Sequence, residues 1–333
     1  MTKTNFKLVC IAMSLTMLVS CADENQNTHR KKEEVAPFRT DVPTFNGDSA
    51  YAHVQTQVDF GPRVPGSKPW AACAEWMAAK LKAAGAQVVT QEGEVTAFDG
   101  TKLPMKNVIG SFKPELTSRV LLFAHWDTRP FADKDETRQN FPIDGANDGG
   151  SGVGVLLEAA RHFGAFPPEV GVDIIFFDTE DYGAPEGGAV EGKYEDWCLG
   201  SQYWAKDPHV KGYTARFGIL LDMVGAKDAV FPKEGTSLYY AAGVTRKIWS
   251  TAKRVGHGNL FIDEQVGQTI DDHLFVSSLA NIPSAAIVHY HPEPDKYGYG
   301  HFHHTHLDNM DIMDAEVMRA VGQVLLDVVY NEK

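Results

Sequence analysis

Cysteine is scarce in this chain, with four residues in 333, and none stands at the spacing of a cysteine metal site. Cys10 and Cys21 belong to the N-terminal apolar stretch, which leaves Cys73 and Cys198 for the folded part. These two can pair in an oxidising compartment, but unpaired buried thiols are the simpler expectation. Basic residues are also short, because 31 Lys and Arg stand against 44 Asp and Glu, for a formal net charge of −13. Phosphate binding calls for clustered Lys and Arg, so no nucleic-acid partner is expected. An acidic balance suits a cationic ligand instead, such as a metal ion or the amino end of a peptide. No internal repeat or low-complexity tract follows residue 46. The apolar run Leu8–Val19 is too short to span a bilayer as a helix.

That run reads as a processing signal. Lys3 and Lys7 supply a positive start, and the stretch closes on Leu18-Val19-Ser20-Cys21. The ending resembles the lipobox of bacterial lipoproteins, which implies a diacylated Cys21 as the new N-terminus. The expectation is an exported, membrane-anchored lipoprotein facing the periplasm or cell surface. Residues 22–45 are polar and charged, as in a flexible tether. Residues 46–333 are expected to form a single catalytic α/β domain.

Helical patterns are expected over Ser49–Val58, Pro69–Ala84, Gly152–Phe163, Asp196–Lys206, Val244–Val255 and Ala315–Val329. Gln87–Thr96 and Asn107–Phe112 read as strands. Val120–Ala124, Val172–Phe177, Phe217–Leu221 and Ser284–Val288 are continuous apolar runs, as expected of strands buried on both faces. Their alternation with helices predicts a three-layer α/β/α sandwich around a largely parallel, mixed central sheet. His125-Trp126-Asp127, Asp178–Asp181, Asp222 and the loop from His289 to His306 each follow one of these runs directly. Open α/β sheets bind ligands at the C-terminal ends of their strands, so these groups should converge.

A catalytic metal site needs about three His, Asp or Glu ligands and one open position. Asp148 lies in the glycine-rich segment Gly145–Gly152, which has room for a cation beside its backbone. The segment lacks a Walker lysine and a clean Gly-x-Gly-x-x-Gly, and Asp148 would repel phosphate. Glu180 and Asp181 are adjacent carboxylates that repel one another unless a cation or a shared proton relieves them. One can ligate a metal while the other works as general acid/base. Of the six histidines between His289 and His306, most are expected to be spare.

The motifs FGPRVPGS (60–67), AHWDTRP (124–130), GANDGGSG (145–152), FFDTEDYG (176–183), LLDMVGA (220–226), DDH (271–273) and HTHLDNMD (304–311) follow in this order. With them the chain resembles the zinc-dependent glutaminyl cyclases of animal and bacterial type, which share the fold of the co-catalytic zinc aminopeptidases. The resemblance runs from Asp59 to Val329. It implies one zinc ion per chain on Asp148, Asp181 and His304, with Glu180 as acid/base and Asp222 and Asp271 as hydrogen-bonding carboxylates. His125 and Asp127 are expected to support the metal site without binding the ion. His304 is preferred over His303 and His306 because His304, Thr305 and Asp308 match the family's His-Thr-x-x-Asp pattern.

The chain departs from that pattern twice. Asp181 stands where the family usually has Glu, and His303 stands where animal cyclases usually have Trp. Trp197 is the candidate for the aromatic wall that position 303 lacks. The implied substrates are peptides or proteins with N-terminal Gln, converted to pyroglutamate with loss of ammonia. Because His125 and Asp222 fill the remaining ligand positions of a dinuclear site, a co-catalytic zinc aminopeptidase is the alternative. An inactive peptidase-like binding module is the second alternative.

Overall fold

The computed structural model describes residues 38–185, 194–293 and 298–333. The leader, Cys21 and the expected tether up to residue 37 lie outside the described residues, but the last part of that tether belongs to the domain, because Phe45 is buried in the core and the Arg39 and Phe45 amides bond Asn331 and Gln323.

Two helices, α1 (Gly47–Phe60) and α2 (Lys68–Ala83), precede strands β1 (Gln87–Thr96) and β2 (Lys102–Phe112). Strands and helices then alternate as β3 (Arg119–His125), α3 (Gly150–Ala165), β4 (Gly171–Phe177), α4 (Leu199–Lys206) and β5 (Gly218–Asp222). The chain ends with α5 (Gly235–Arg254), α6 (Asp272–Ser278), β6 (Ser284–Val288) and α7 (Ala315–Tyr330). Among the described residues the strands form one six-stranded sheet in the order β1-β2-β4-β3-β5-β6. The pairs β3/β4, β3/β5 and β5/β6 are parallel, while β1/β2 and β2/β4 are antiparallel.

All residues of β3, β4, β5 and β6 are buried, because both faces of the sheet are covered. Val120, Leu122, Ala124, Ile174 and Leu221 point into a core shared with α1, α2, α3, α5 and α7. The intervening Leu121, Phe123, Ile175 and Leu220 point the other way, against Trp204 of α4 and Val276 of α6. The result is a three-layer α/β/α sandwich with its helices unequally divided. Gly152 lets α3 approach the sheet closely, since a Cβ there would stand 2.2 Å from the Leu221 carbonyl oxygen. That glycine therefore serves packing.

Cys73 and Cys198 are both buried and unpaired, so the disulfide that the sequence left open is not formed. Among the described residues, no helix is long and apolar enough to cross a membrane.

Candidate active site

Strand β3 lies between β4 and β5, so the chain departs from it in opposite directions on its two sides. This is the topological switch point of an open α/β sheet, where a crevice forms beyond the strand ends. A cavity of about 580 Å³ opens there. Asp148, Glu180, Asp181, Asp222, Asp271, His304 and Trp197 all line it. His125 and Asp127, from the end of β3, are buried beneath this lining. The expected catalytic, metal and pocket residues are thus brought to one place, while Cys21 lies outside the described residues.

Backbone hydrogen bonds set that place. Asp127 accepts from the Glu180 amide at 3.0 Å through Oδ1 and from the Asp181 amide at 3.1 Å through Oδ2. One carboxylate thereby fixes the main chain of both neighbours. Asp308 does the same for the other side, accepting from the Asn147 and Asp148 amides at 2.7 and 3.0 Å. Arg63, fully buried, donates to the carbonyls of Asp144 and Gly145 and stiffens the same loop. Gly149 turns it with φ 81°, and a Cβ there would lie 2.7 Å from the Asp127 carbonyl oxygen.

Three donor side chains meet above these anchors. His304 Nε2 is 3.3 Å from Asp181 Oδ1 and 3.9 Å from Asp148 Oδ2, while its Nδ1 faces Asp133 Oδ1 at 3.5 Å. Burial and the nearby Arg129 charge hold the His304 imidazole down to about 3, so it is neutral and offers a lone pair. Burial pushes Asp181 well above the usual carboxylate range, and the Asp148 charge adds to the rise. Glu180 is raised for the same first reason, with Asp271 contributing against the opposing pull of His125. Asp148 Oδ2 and Asp181 Oδ2 are buried without a hydrogen-bond partner. A nest of carboxylates short of positive charge, beside a neutral imidazole, fits a divalent metal ion.

His125, Asp148 and Asp222 form a second juxtaposition. His125 Nε2 lies 3.0 Å from Asp148 Oδ1 and 3.3 Å from Asp222 Oδ1. Their ligand atoms all fall within 4.8 Å of one another, as do those of Asp148, His303 and His304.

The aromatic wall is built from several rings. Trp197 stacks on His304, with centroids 6.1 Å apart and planes 9° from parallel. His303 also stacks on His304 with centroids 3.7 Å apart, and Tyr299 lies 4.7 Å from His303. Tyr299 and Tyr290 also line the cavity.

Sequence reasoning did not assign Arg129, Lys134, Tyr290, Tyr299 or Cys198. Arg129 stands inside the quoted AHWDTRP motif, and its guanidinium contacts Asp181 Oδ1 at 3.3 Å and lies over the Trp197 ring at 5.0 Å. Lys134 hydrogen-bonds His303 Nδ1 at 2.7 Å. His306 pairs with Asp135, His291 with Glu293, and His289 accepts from the Val230 amide.

Glu234 supports the far wall. It is fully buried and accepts from the amides of Thr236, Ser237 and Thr269, and it pairs with His273 Nε2 at 3.1 Å. Burial alone would raise it, but His273 and these donors outweigh burial and bring the carboxyl down to about 2. A depressed folded-state value stabilises the protein above the unfolded value and loses that stability as pH falls through the folded one. Glu234→Gln should therefore destabilise by about 3 kcal/mol near neutral pH. The penalty relative to wild type should shrink between about pH 4.5 and pH 2. Denaturant titrations across that window check both statements.

Residues 107–329 match the profile of peptidase family M28. The chain belongs to this family. Similarity to individual M28-fold proteins extends further. A glutaminyl cyclase of Bacteroides thetaiotaomicron, crystallised with N-acetylhistamine, is 53% identical and superposes with a TM-score of 0.85 over 88% of this chain and 100% of that one. A Zn-dependent exopeptidase from Parabacteroides distasonis is 52% identical, with a TM-score of 0.84 over 87% and 100%. The aminopeptidase YwaD of Bacillus subtilis is 26% identical over 266 residues, covering 75% of this chain. The match spans only half the length of that relative.

Proposed function

We propose that this M28 member is a zinc-dependent glutaminyl-peptide cyclotransferase, converting the N-terminal Gln of peptides or proteins to pyroglutamate. The observation that carries the reading is its 53% identity, across 88% of the chain, to a protein described as a glutaminyl cyclase. Asp148, Asp181 and His304 would hold the zinc. When bound, the metal supplies Lewis-acid polarisation of the substrate's γ-carbonyl. Glu180 takes a proton from the substrate α-amine as that nitrogen attacks the γ-carboxamide carbon. It returns the proton to the departing nitrogen, which leaves as ammonia. A shuttle of this kind contributes about 10²–10⁴-fold. Asp222 and Asp271 offer acceptors to the amine, and the aromatic rings beside His304 hold the side chain in one ring-forming conformer.

The aminopeptidase reading has one observation in its favour, the closeness of His125, Asp148 and Asp222. Zinc content and product analysis separate the two. We expect one zinc per chain, with His125 and Asp222 in hydrogen bonds, and ammonia release from a Gln-initial peptide. Reproducible occupancy near two zinc ions, with hydrolysis of unblocked peptides and no ammonia, would overturn the cyclase.

We also propose export and lipid attachment at Cys21, on the strength of the Leu18–Cys21 ending. Cys21→Ser should abolish lipid labelling and release the protein into the soluble fraction with its specific activity retained. Unaltered membrane retention removes Cys21 as the anchor.

A further inference from the structure

Cys198 is fully buried, yet it has no disulfide partner and makes no helix-capping side-chain bond, although it stands at the N-cap of α4. Its backbone is left-handed, with φ 55° and ψ 38°, a conformation that favours glycine and strains any other residue. The strain gains nothing for the main chain. Three consecutive amides already join this segment to the one carrying Glu180: Cys198 to the Glu180 carbonyl, Leu199 to Thr179 and Gly200 to Asp178, each at 3.0 Å. Glycine at 198 would make the same three bonds without strain. What glycine would lose is the thiol, which donates to Glu180 Oε1 at 3.1 Å. Burial and the carboxylates of Glu180, Asp272 and Asp271 push the thiol well above its usual range, so it stays protonated and remains a donor.

We infer that Cys198 is a positioning residue for the reaction: its thiol holds one oxygen of Glu180 and leaves the other turned to the reacting atoms. The inference rests on Glu180 acting as the proton carrier. Glu180 lines the cavity beside Asp271, with ligand atoms of Glu180, Cys198 and Asp271 all within 4.8 Å of one another. A carboxylate with no fixed oxygen would sample rotamers that do not face the substrate amine. A sulfhydryl, buried behind the pocket, restricts it without entering the space the substrate needs.

The test compares wild type, Cys198→Ala, Cys198→Ser, Cys198→Gly, Glu180→Gln and the double variant Cys198→Ala/Glu180→Gln. Each is assayed for ammonia release from a Gln-initial peptide, zinc content and thermal unfolding. Cys198→Ala should lower kcat on the order of tenfold, the effect of losing one hydrogen bond to a charged group, while KM and zinc content stay put. Cys198→Ser, which keeps a donor, should recover most of kcat. Cys198→Gly should unfold no earlier than Cys198→Ala and still be as slow. In the Glu180→Gln background, Cys198→Ala should change nothing further, because the group it serves is gone.

Wild-type kcat in Cys198→Ala, or a loss that multiplies with Glu180→Gln, overturns the inference. If Cys198→Ala does not fold, the comparison of Ser with Gly decides, and equal kcat in those two overturns it as well. A wild type that releases no ammonia overturns the proposed reaction and this inference with it. A wild type that cyclises beside an unimpaired Cys198→Ala overturns this inference alone.

Discussion

Glu180→Gln should leave zinc content and fold intact while cutting turnover by about two to four orders of magnitude. The substitution keeps size and hydrogen-bonding shape and removes only the ionisable group. The Glu180 amide still reaches Asp127, so the main chain of Asp181 is not disturbed. Asp181→Ala should behave differently, because it deletes a group facing His304 Nε2 at 3.3 Å. Its lost activity should track lost zinc, and raised zinc should restore part of it. The pH profile adds a second readout. A substrate α-amine must be neutral to attack, and its unperturbed value is about 7.7–8.0, so wild-type kcat/KM should rise with pH toward that value. If Glu180→Gln strips the metal and Asp181→Ala keeps it, the two roles are exchanged. If neither affects cyclisation, the assigned site is wrong.

Asp308→Ala is expected to have the largest effect on stability among single substitutions near the site. The carboxylate is fully buried and accepts from two backbone amides that have nowhere else to turn. Burial and the Asp148 charge push the Asp308 carboxyl up to about 8, so the cost of its loss lies in leaving two buried amides unpaired, about 1–3 kcal/mol each, which should lower Tm on the order of ten degrees. The same amides carry Asp148, so apparent zinc affinity should fall by about 10–100-fold, the usual cost of removing a group that orients a ligand. Thermal unfolding with and without added zinc measures both. An Asp308→Ala protein that unfolds like wild type and binds zinc equally well would falsify the role given to Asp308.

Much of this arrangement was legible in the sequence, for reasons that can be stated residue by residue. The four inner strands announced themselves because burial on both faces demands unbroken apolar runs such as Val120–Ala124 and Ser284–Val288. The loops that follow them had to carry the chemistry. Boundaries were harder. β2 begins at Lys102, although Asn107 looked like its start, because Pro104 argues against a strand. The structure tolerates it because residues 102–107 pair only with β1, and β4 joins from Val108 onward. α5 begins at Gly235, well before the expected Val244, since Glu234 caps it and a break at Ala241 lets two short helices join. α4 begins at Leu199, later than Asp196, because Cys198 is left-handed. α6 was not expected. Seven residues are too few to show a helical period, and its signal is the Asp271 cap alone.

Within the site, the ligand candidates and Asp127 followed from the motifs, but other supports did not. Arg63, Cys198 and Glu234 act on neighbours distant in sequence, and only the folded chain reveals which carboxylate each one meets.

Asp127 grips main-chain atoms and no part of the side chains at 180 and 181. The two positions are therefore mechanically independent beyond their Cβ atoms. Residue 181 can lose a methylene, as it has here relative to the usual Glu, and the origin from which Glu180 extends stays where it was. A scaffold built this way lets selection retune the grip on the ion and the reach of the proton carrier one at a time. Asp127 itself has no such freedom, for any change there shifts both together.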